Sequence, residues 1–433
     1  MTTSYKRIFP CMLLMCIGAI PSRAQKALHD YLDQAFIHSP LIYENSIRQQ
    51  ANLVEAKRIE ASLTKPVIGA DINYMLSPVL AKSGNGYSFK LNPDKNIPDY
   101  YGYDLAVTNG GLYSAVLTLD QPILNRNKAK TIAAQYDAQN NLLANQTNLT
   151  AHELQKAVTA QYILCLKHIH QLHFLNKLIQ ITTTQRKVTL QLASSGVSKQ
   201  SDVKLLDIEL MQQQTDRTAE IAEYHASILD LNILCGINDT TTAMLSDTSL
   251  VLGDSDSGRS LFTIQYQLDS VLVSAKKQVF DLSYKPKISL YSSAGLNTVY
   301  APNIPDRFGL EAGIRFSLTI SDGMQRQLNA KHAQLMQQTA AAYTKDFSIR
   351  NNIRKTRILQ QISSIEAQST ALKEQAKTYD DLLAYYKQQL ANGQMSVIDY
   401  ITILRRRTSL QGTLIILQTN KQLLINDYNY WNW

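Results

Sequence analysis

The stretch ILNRNKAKTIAAQYDAQNNLLANQTNLTAHELQKAVTAQYILCLKHIHQLHFLNKLIQITTTQRKVTLQLASS, Ile123–Ser195, contains neither Gly nor Pro. It is rich in Ala, Leu, Gln, Lys and Glu, so nothing in it breaks a helix and most of it favours one. As one helix it is roughly 110 Å long at 1.5 Å per residue, several times what the core of a compact domain can use. A helix of that length has to serve some other purpose than filling a globular interior.

A second stretch of the same kind lies between Gly323 and Gly393, and its surroundings repeat those of the first. Gly196 is followed six residues on by Asp202 in GVSKQSD, and Gly393 six residues on by Asp399 in GQMSVID. The two glycines are 197 residues apart, and AVLTLDQPILN keeps the same offset from GIRFSLTISD when Leu119 is aligned with Phe316. Strand, long helix and glycine turn therefore recur as a unit, and a duplication of this size decides the fold.

Working outward to the start of the chain, Lys6 and Arg7 precede an apolar run from Cys11 to Ile20 and then Ser22-Arg23-Ala24. That order is a secretory signal peptide, residues 1–24, with cleavage expected after Ala24. Leu14-Met15 before Cys16 and Ile17 after it lack the small-residue context of a lipoprotein site. No later run approaches the 18 or so apolar residues of a membrane helix, so strands must make any membrane crossing. The formal charge of +8 includes Lys6, Arg7 and Arg23, which leaves about +5 on the mature chain, spread thinly and without the basic, aromatic-studded patch that nucleic acid binding needs. Of the four cysteines, Cys11 and Cys16 leave with the signal. Cys165 sits in the seam Val158, Tyr162, Cys165, Ile169, Leu172, Asn176, Ile179, spaced alternately by four and three, and reads as a buried thiol, as does Cys235.

Residues 25–236 form the first repeat. A helical stretch from Ala27 to Leu63, interrupted only at Ser39-Pro40, leads to a strand at about 67–76, with Ile68, Ala70, Ile72, Tyr74 and Leu76 on one face. Residues 77–110 hold Gly, Pro, Asn, Asp and several tyrosines and read as a long surface loop. A second strand at about 112–121 ends at Pro122, which marks the passage into the long helix. Beyond the Gly196 turn, where Ser198 can cap, a helix runs from about Val203 to Cys235. Residues 237–259 form a polar, equatorial link, and residues 260–433 are the second repeat, with strands at about 287–297 and 307–320. Pro66 and Pro286 are 220 residues apart rather than 197, which places about 23 extra residues in the tyrosine-rich loop.

Each strand is long enough to cross a bilayer when tilted, with one face fit for lipid and one for water. Four strands cannot close a barrel, and an open edge in lipid leaves backbone groups unsatisfied. A cyclic homo-oligomer resolves this, and three chains give an even-numbered barrel of twelve strands. The expected fold is thus mixed: a trimeric transmembrane β-barrel, four strands per chain, continued by a long α-helical barrel built from two helix-strand-strand-helix repeats.

The signal peptide, the doubled unit, LDQPILNR and LTISDGMQR entering the long helices, and the turns GVSKQSDV and GQMSVIDY together resemble the TolC-like outer membrane efflux proteins. The resemblance covers essentially the whole mature chain. It implies a homotrimeric duct in the outer membrane lipid of a Gram-negative bacterium, joined through a periplasmic adaptor to an inner-membrane transporter and exporting small toxic compounds or proteins. It also implies that the helical turns form a periplasmic tip that closes like an iris. On that matching Gly196 and Gly393 mark the tip, Asp202 and Asp399 lie just past it, and Asp399 contributes to an acidic ring. The sequence departs from the best-known pattern at Met395 and Thr402, where a basic residue and a second acid can occur; Tyr385, Tyr386 and Arg405–Arg407 are nearby gate candidates.

Each acid also has an ordinary explanation, because a carboxylate in the first turns of a helix suits the macrodipole. His168, His170 and His173 are spaced by two and three, so at most the last two share a face, and no metal site is assigned. There is no Gly-rich phosphate loop, nucleophile motif or convergent acid pair, so neither enzymatic chemistry nor a cofactor is expected. The competing reading is a periplasmic coiled-coil adaptor or scaffold without a pore, which differs in needing no lipid-compatible strand face.

Overall fold

The structure is a computed structural model that describes residues 26–90, 100–101, 111–254, 260–392 and 394–433. The signal peptide and Gly393 lie outside the described residues. In chain order the elements are α1 (Leu28–His38), α2 (Pro40–Thr64), β1 (Val67–Leu76), β2 (Val79–Ser83), β3 (Gly86–Lys90), β4 (Tyr100–Tyr101) and β5 (Gly111–Ile123). There follow α3 (Arg126–Ser194), α4 (Gln200–Cys235), α5 (Leu261–Asp281), β6 (Lys287–Thr298), β7 (Phe308–Ser317), α6 (Gln325–Ala391) and α7 (Val397–Trp431). The two long helices end at Ser194 and Ala391, and the returning helices start at Gln200 and Val397. Both pairs are 197 residues apart, the offset read from the sequence.

Local chemistry sets the boundaries. Pro40 opens α2, where its missing N–H falls among donors that have no intrahelical partner. Asp30 caps α1 by accepting from the Ala27 amide at 2.9 Å, and the Ser260 hydroxyl accepts from the Phe262 amide at the start of α5. The helix α4 ends at Gly236, whose φ of 64° is left-handed and whose absent Cβ would lie 2.6 Å from the His38 side chain. Only glycine meets both conditions.

The helices and strands fall into two compact units, each drawn from both repeats. One takes the described residues within Met1–Ser39, His152–Ser255 and Lys355–Asn432; the other takes those within Pro40–Ala151, Asp256–Arg354 and Trp433.

The second unit holds a four-stranded antiparallel sheet in the order β1-β5-β6-β7. Its register, with Ile72 opposite Ala115, Ala115 opposite Leu296 and Leu296 opposite Phe308, puts the alternating apolar residues of all four strands on one face. Ile68, Ile72 and Tyr74 of β1, Leu117 and Leu119 of β5, Leu290 of β6 and Leu310, Ile314 and Phe316 of β7 share it. The other face carries Asp71, Asn73, Ser114, Thr118, Ser293, Glu311 and Arg315. Ile72 is 83% exposed and Leu310 80% exposed.

Four boundaries differ from the sequence expectation. Of the expected loop at 77–110, residues 91–99 and 102–110 lie outside the described residues, and the described part is not simply a loop, because β2 pairs with β3 and β4 in a second antiparallel sheet. β7 stops at Ser317 rather than Ile320, although the alternation continues, because its last partner is Lys287, the residue after Pro286. Pro122 remains inside β5, at a level where β1 has already ended, so its missing donor breaks no ladder on that side. The chain then turns through Leu124 (φ 62°) before α3 begins at Arg126, and through Met324 (φ 71°) before α6.

The first unit is built on coiled seams. Val158, Tyr162, Cys165 and Leu166 of α3 pack with Tyr31, Ile228, Leu231, Cys235 and Leu245 in one buried cluster, with Ile169 and Leu172 against it. Tyr31 meets Tyr162 edge-on, and the Tyr162 hydroxyl donates to the Ser246 carbonyl at 2.6 Å, tying the linker to the seam. Cys165 and Cys235 are free and buried, and burial pushes both thiols up to about 11. No described helix is long and apolar enough to cross a membrane.

Candidate gate at the helical turns

The turns that end α3 and α6 lie in the first unit and share one core. Leu178 of α3, Leu206 of α4, Leu390 of α6 and Val397, Tyr400, Ile401 and Leu404 of α7 form a buried cluster, with Leu383, Tyr386 and Met395 against it. Helix ends with this much buried side chain are fixed by packing, not by turn chemistry alone.

At the first turn the Gly196 amide bonds the Ala193 carbonyl and the Val197 amide reaches back to Leu192. Gly196 has a φ of 76°, and nothing lies within 4 Å of the Cβ it lacks, so the left-handed backbone alone demands glycine. Ser198 does not cap α4. Its hydroxyl instead donates to Asp202 at 3.0 Å, and Asp202 also accepts from the Lys199 amide at 3.2 Å. Asp202 is thereby the cap of its own helix, a side chain held at the turn by two hydrogen bonds.

The second turn is built differently. Here the Ser396 hydroxyl accepts from the Ile398 amide, which leaves Asp399 exposed and without a capping bond among the described residues. Asp399 lines a shallow open groove with Tyr385, Tyr386, Met395, Thr402 and Arg406. The structure thus brings Asp399 together with Tyr385, which receives a hydrogen bond from Gln389 at 2.9 Å. Met395 and Thr402, the positions that depart from the family pattern, line the same groove.

Arg405 points elsewhere. Its Nε donates to Glu209 of α4 at 2.9 Å and its second guanidinium nitrogen lies 2.8 Å from the same oxygen. Glu209 is buried and also accepts from Gln213 at 3.1 Å. Arg407 grips Asp380 of α6 with two nitrogens, at 2.7 and 3.1 Å, and Arg186 of α3 pairs with Asp207 of α4. These three pairs join all four helices of the bundle near its turns. Glu209, Asp207 and Asp380 were not singled out from the sequence; the only signal was an acid one or two turns from an apolar seam position.

The histidines have separate partners, His168 with Glu220 at 2.6 Å and His170 with Asp247 at 3.5 Å. Among the described residues there is no group of three His, Cys, Asp or Glu side chains placed to hold a metal.

An antiparallel four-stranded sheet with one apolar exposed face, two long helices and two doubled returns define the fold of the TolC-like outer membrane channels, and the chain has that fold. No family model and no curated protein matches the sequence. Solved structures do match. The outer membrane protein VceC of Vibrio cholerae superposes with a TM-score of 0.66 over 94% of this chain and 96% of that one, at 11% identity. The CmeC outer membrane channel of Campylobacter jejuni gives 0.67, over 94% and 85%, at 12%. The MtrE outer membrane channel of Neisseria gonorrhoeae, in its open state, gives 0.65, over 94% and 88%, at 13%.

Proposed function

We propose that the mature chain forms a homotrimeric duct across the outer membrane of a Gram-negative bacterium, with the four-stranded sheet in outer membrane lipid and the helices forming a periplasmic tunnel. The observation that carries this is the sheet: an apolar face continuous over four strands and open to its surroundings, a polar face opposite, and edges at β1 and β7 that are unpaired among the described residues. In water such a face is an aggregation hazard; closed with two further copies it is a barrel wall. The channels with which the chain shares its fold support the same reading.

In this reading the duct serves a tripartite efflux pump or a type I secretion system, receives small toxic compounds or proteins through a periplasmic adaptor and an inner-membrane transporter, and performs no chemistry. Asp399, exposed and free of capping, supplies the acidic ring at the constriction; Asp202 is chiefly structural. Opening requires the α7 end to move against α4 and α6, so the Arg405–Glu209 and Arg407–Asp380 pairs act as its restraints. The pore-less scaffold has no use for the lipid-compatible face. Fractionation separates the two: the duct stays in the membrane pellet through an alkaline wash and leaves only with detergent, and recovery in the soluble periplasmic fraction would overturn it.

A further inference from the structure

At the end of the sheet where the strands meet the helices there is a cavity of about 480 Å³, within the range of small-ligand sites. Its walls divide into two chemistries. Leu63 of α2, Ile132 of α3, and Val279 and Leu282 at the end of α5 are apolar, whereas Lys128, Lys287 and Arg315 bring three positive charges. The one acid in the lining, Asp120, is already used by Arg315 Nη1 and the Ser289 hydroxyl, each at 3.4 Å.

Lys128 is the unusual member. It is only 9% exposed, and its ammonium has three donors but one acceptor among the described residues, the Pro286 carbonyl at 2.8 Å. No carboxylate among the described residues is paired with it. Burial lowers its pKa, and the charges of Lys287 and Lys285 lower it further. A buried, unneutralised ammonium beside two like charges is costly unless something negative joins it.

We propose that this cavity binds an anionic phospholipid, with the phosphate between Lys128 and Lys287 and the glycerol and upper acyl chain along the apolar wall. A phosphate accepts charge-assisted hydrogen bonds from both ammonium groups, and the apolar wall selects an amphiphile over a free anion. The proposal rests on the membrane-spanning reading of the sheet: the cavity lies where all four strands hand over to helices, which in that reading is the depth of the periplasmic leaflet's head groups.

The test uses the full mature protein in a neutral maltoside detergent, with thermal unfolding followed against dihexanoyl phosphatidylglycerol, dihexanoyl phosphatidylcholine and inorganic phosphate. The expected result is a saturable rise in midpoint with phosphatidylglycerol at concentrations at least tenfold below those needed for phosphatidylcholine. Lys128→Met with Lys287→Gln should abolish that preference, whereas Lys331→Gln, on the exposed face of α6, should keep it. Lys287→Gln alone replaces the double variant if the latter does not fold, and should weaken the preference. Equal responses to the two lipids, an unchanged preference in the lysine variants, or full reproduction by inorganic phosphate would each overturn the proposal. Flotation with liposomes is scored separately. Protein that inserts without head-group preference defeats the cavity and leaves the duct, and protein that prefers phosphatidylglycerol but does not insert does the reverse.

Discussion

Substituting Ile72 by Lys separates a membrane wall from a soluble sheet. Ile72 lies midway along β1, on the apolar face, opposite Ala115 and 83% exposed in the chain. For a soluble sheet that exposure makes the change nearly neutral, within about 0.5 kcal/mol, because an exposed Ile loses little on becoming Lys. In a bilayer the same side chain sits near the midplane, where a lysine on the lipid face of a barrel costs about 2–4 kcal/mol. At 1.4 kcal/mol per tenfold this is roughly 30- to 700-fold in the folding equilibrium of each chain. Asn73, one residue on and on the polar face, is the internal control; Asn73→Lys should cost no more than about 0.5 kcal/mol. The assay is urea unfolding of protein reconstituted in phosphatidylcholine vesicles, followed by far-UV circular dichroism. Equal costs for the two substitutions, or a larger one for Asn73→Lys, would refute the assignment of faces and with it the barrel.

Other outcomes test the tip and the core. Gly196→Ala should lower stability by about 1–2 kcal/mol through backbone strain alone, since no atom obstructs the new methyl; Gly196→Asn should cost less, and equal midpoints for all three proteins would contradict the left-handed turn. Arg405→Ala should cost about 1–2 kcal/mol by stranding the buried Glu209 carboxylate, at the low end because the Arg405 head is largely in water. Arg406→Ala, in the groove with Asp399, should stay within about 0.5 kcal/mol, and a reversed order in urea titrations would dismiss the pair. With thiol pKa values of about 11, only about one in a thousand of each cysteine is thiolate at pH 8. Dithionitrobenzoate should therefore label Cys165 and Cys235 only on unfolding; rapid labelling of native protein would contradict their burial.

How much was legible in the sequence follows from which interactions are local. The duplication, both long helices, the four strands of the main sheet and the sharing of faces all rest on periodicity and on Gly and Pro positions, and the structure has each within a few residues. Strand ends were misplaced where pairing decides: Leu318–Ile320 alternate correctly but have no partner beyond Lys287. The β2–β4 sheet is not legible in the sequence, because its strands are short and their alternation is weaker than the Gly and Asn signal around them. At the tip, Asp202 and Asp399 read as equivalent because they occupy matching positions. The structure divides them, since the capping hydroxyl is Ser396 at one turn while Asp202 serves at the other. The sequence places both Arg405 and Tyr385 near the turn, yet of the two only Tyr385 joins Asp399. Which way Arg405 points depends on Glu209, 196 residues earlier, and no local pattern carries that.

The duct itself is tested most directly by conductance. Mature protein purified as a folded trimer and added to a planar bilayer should give discrete current steps with a preference for cations, and Asp399→Ala should reduce that preference while keeping the steps. An absence of steps from both proteins, each shown to be folded, trimeric and inserted, would contradict the duct.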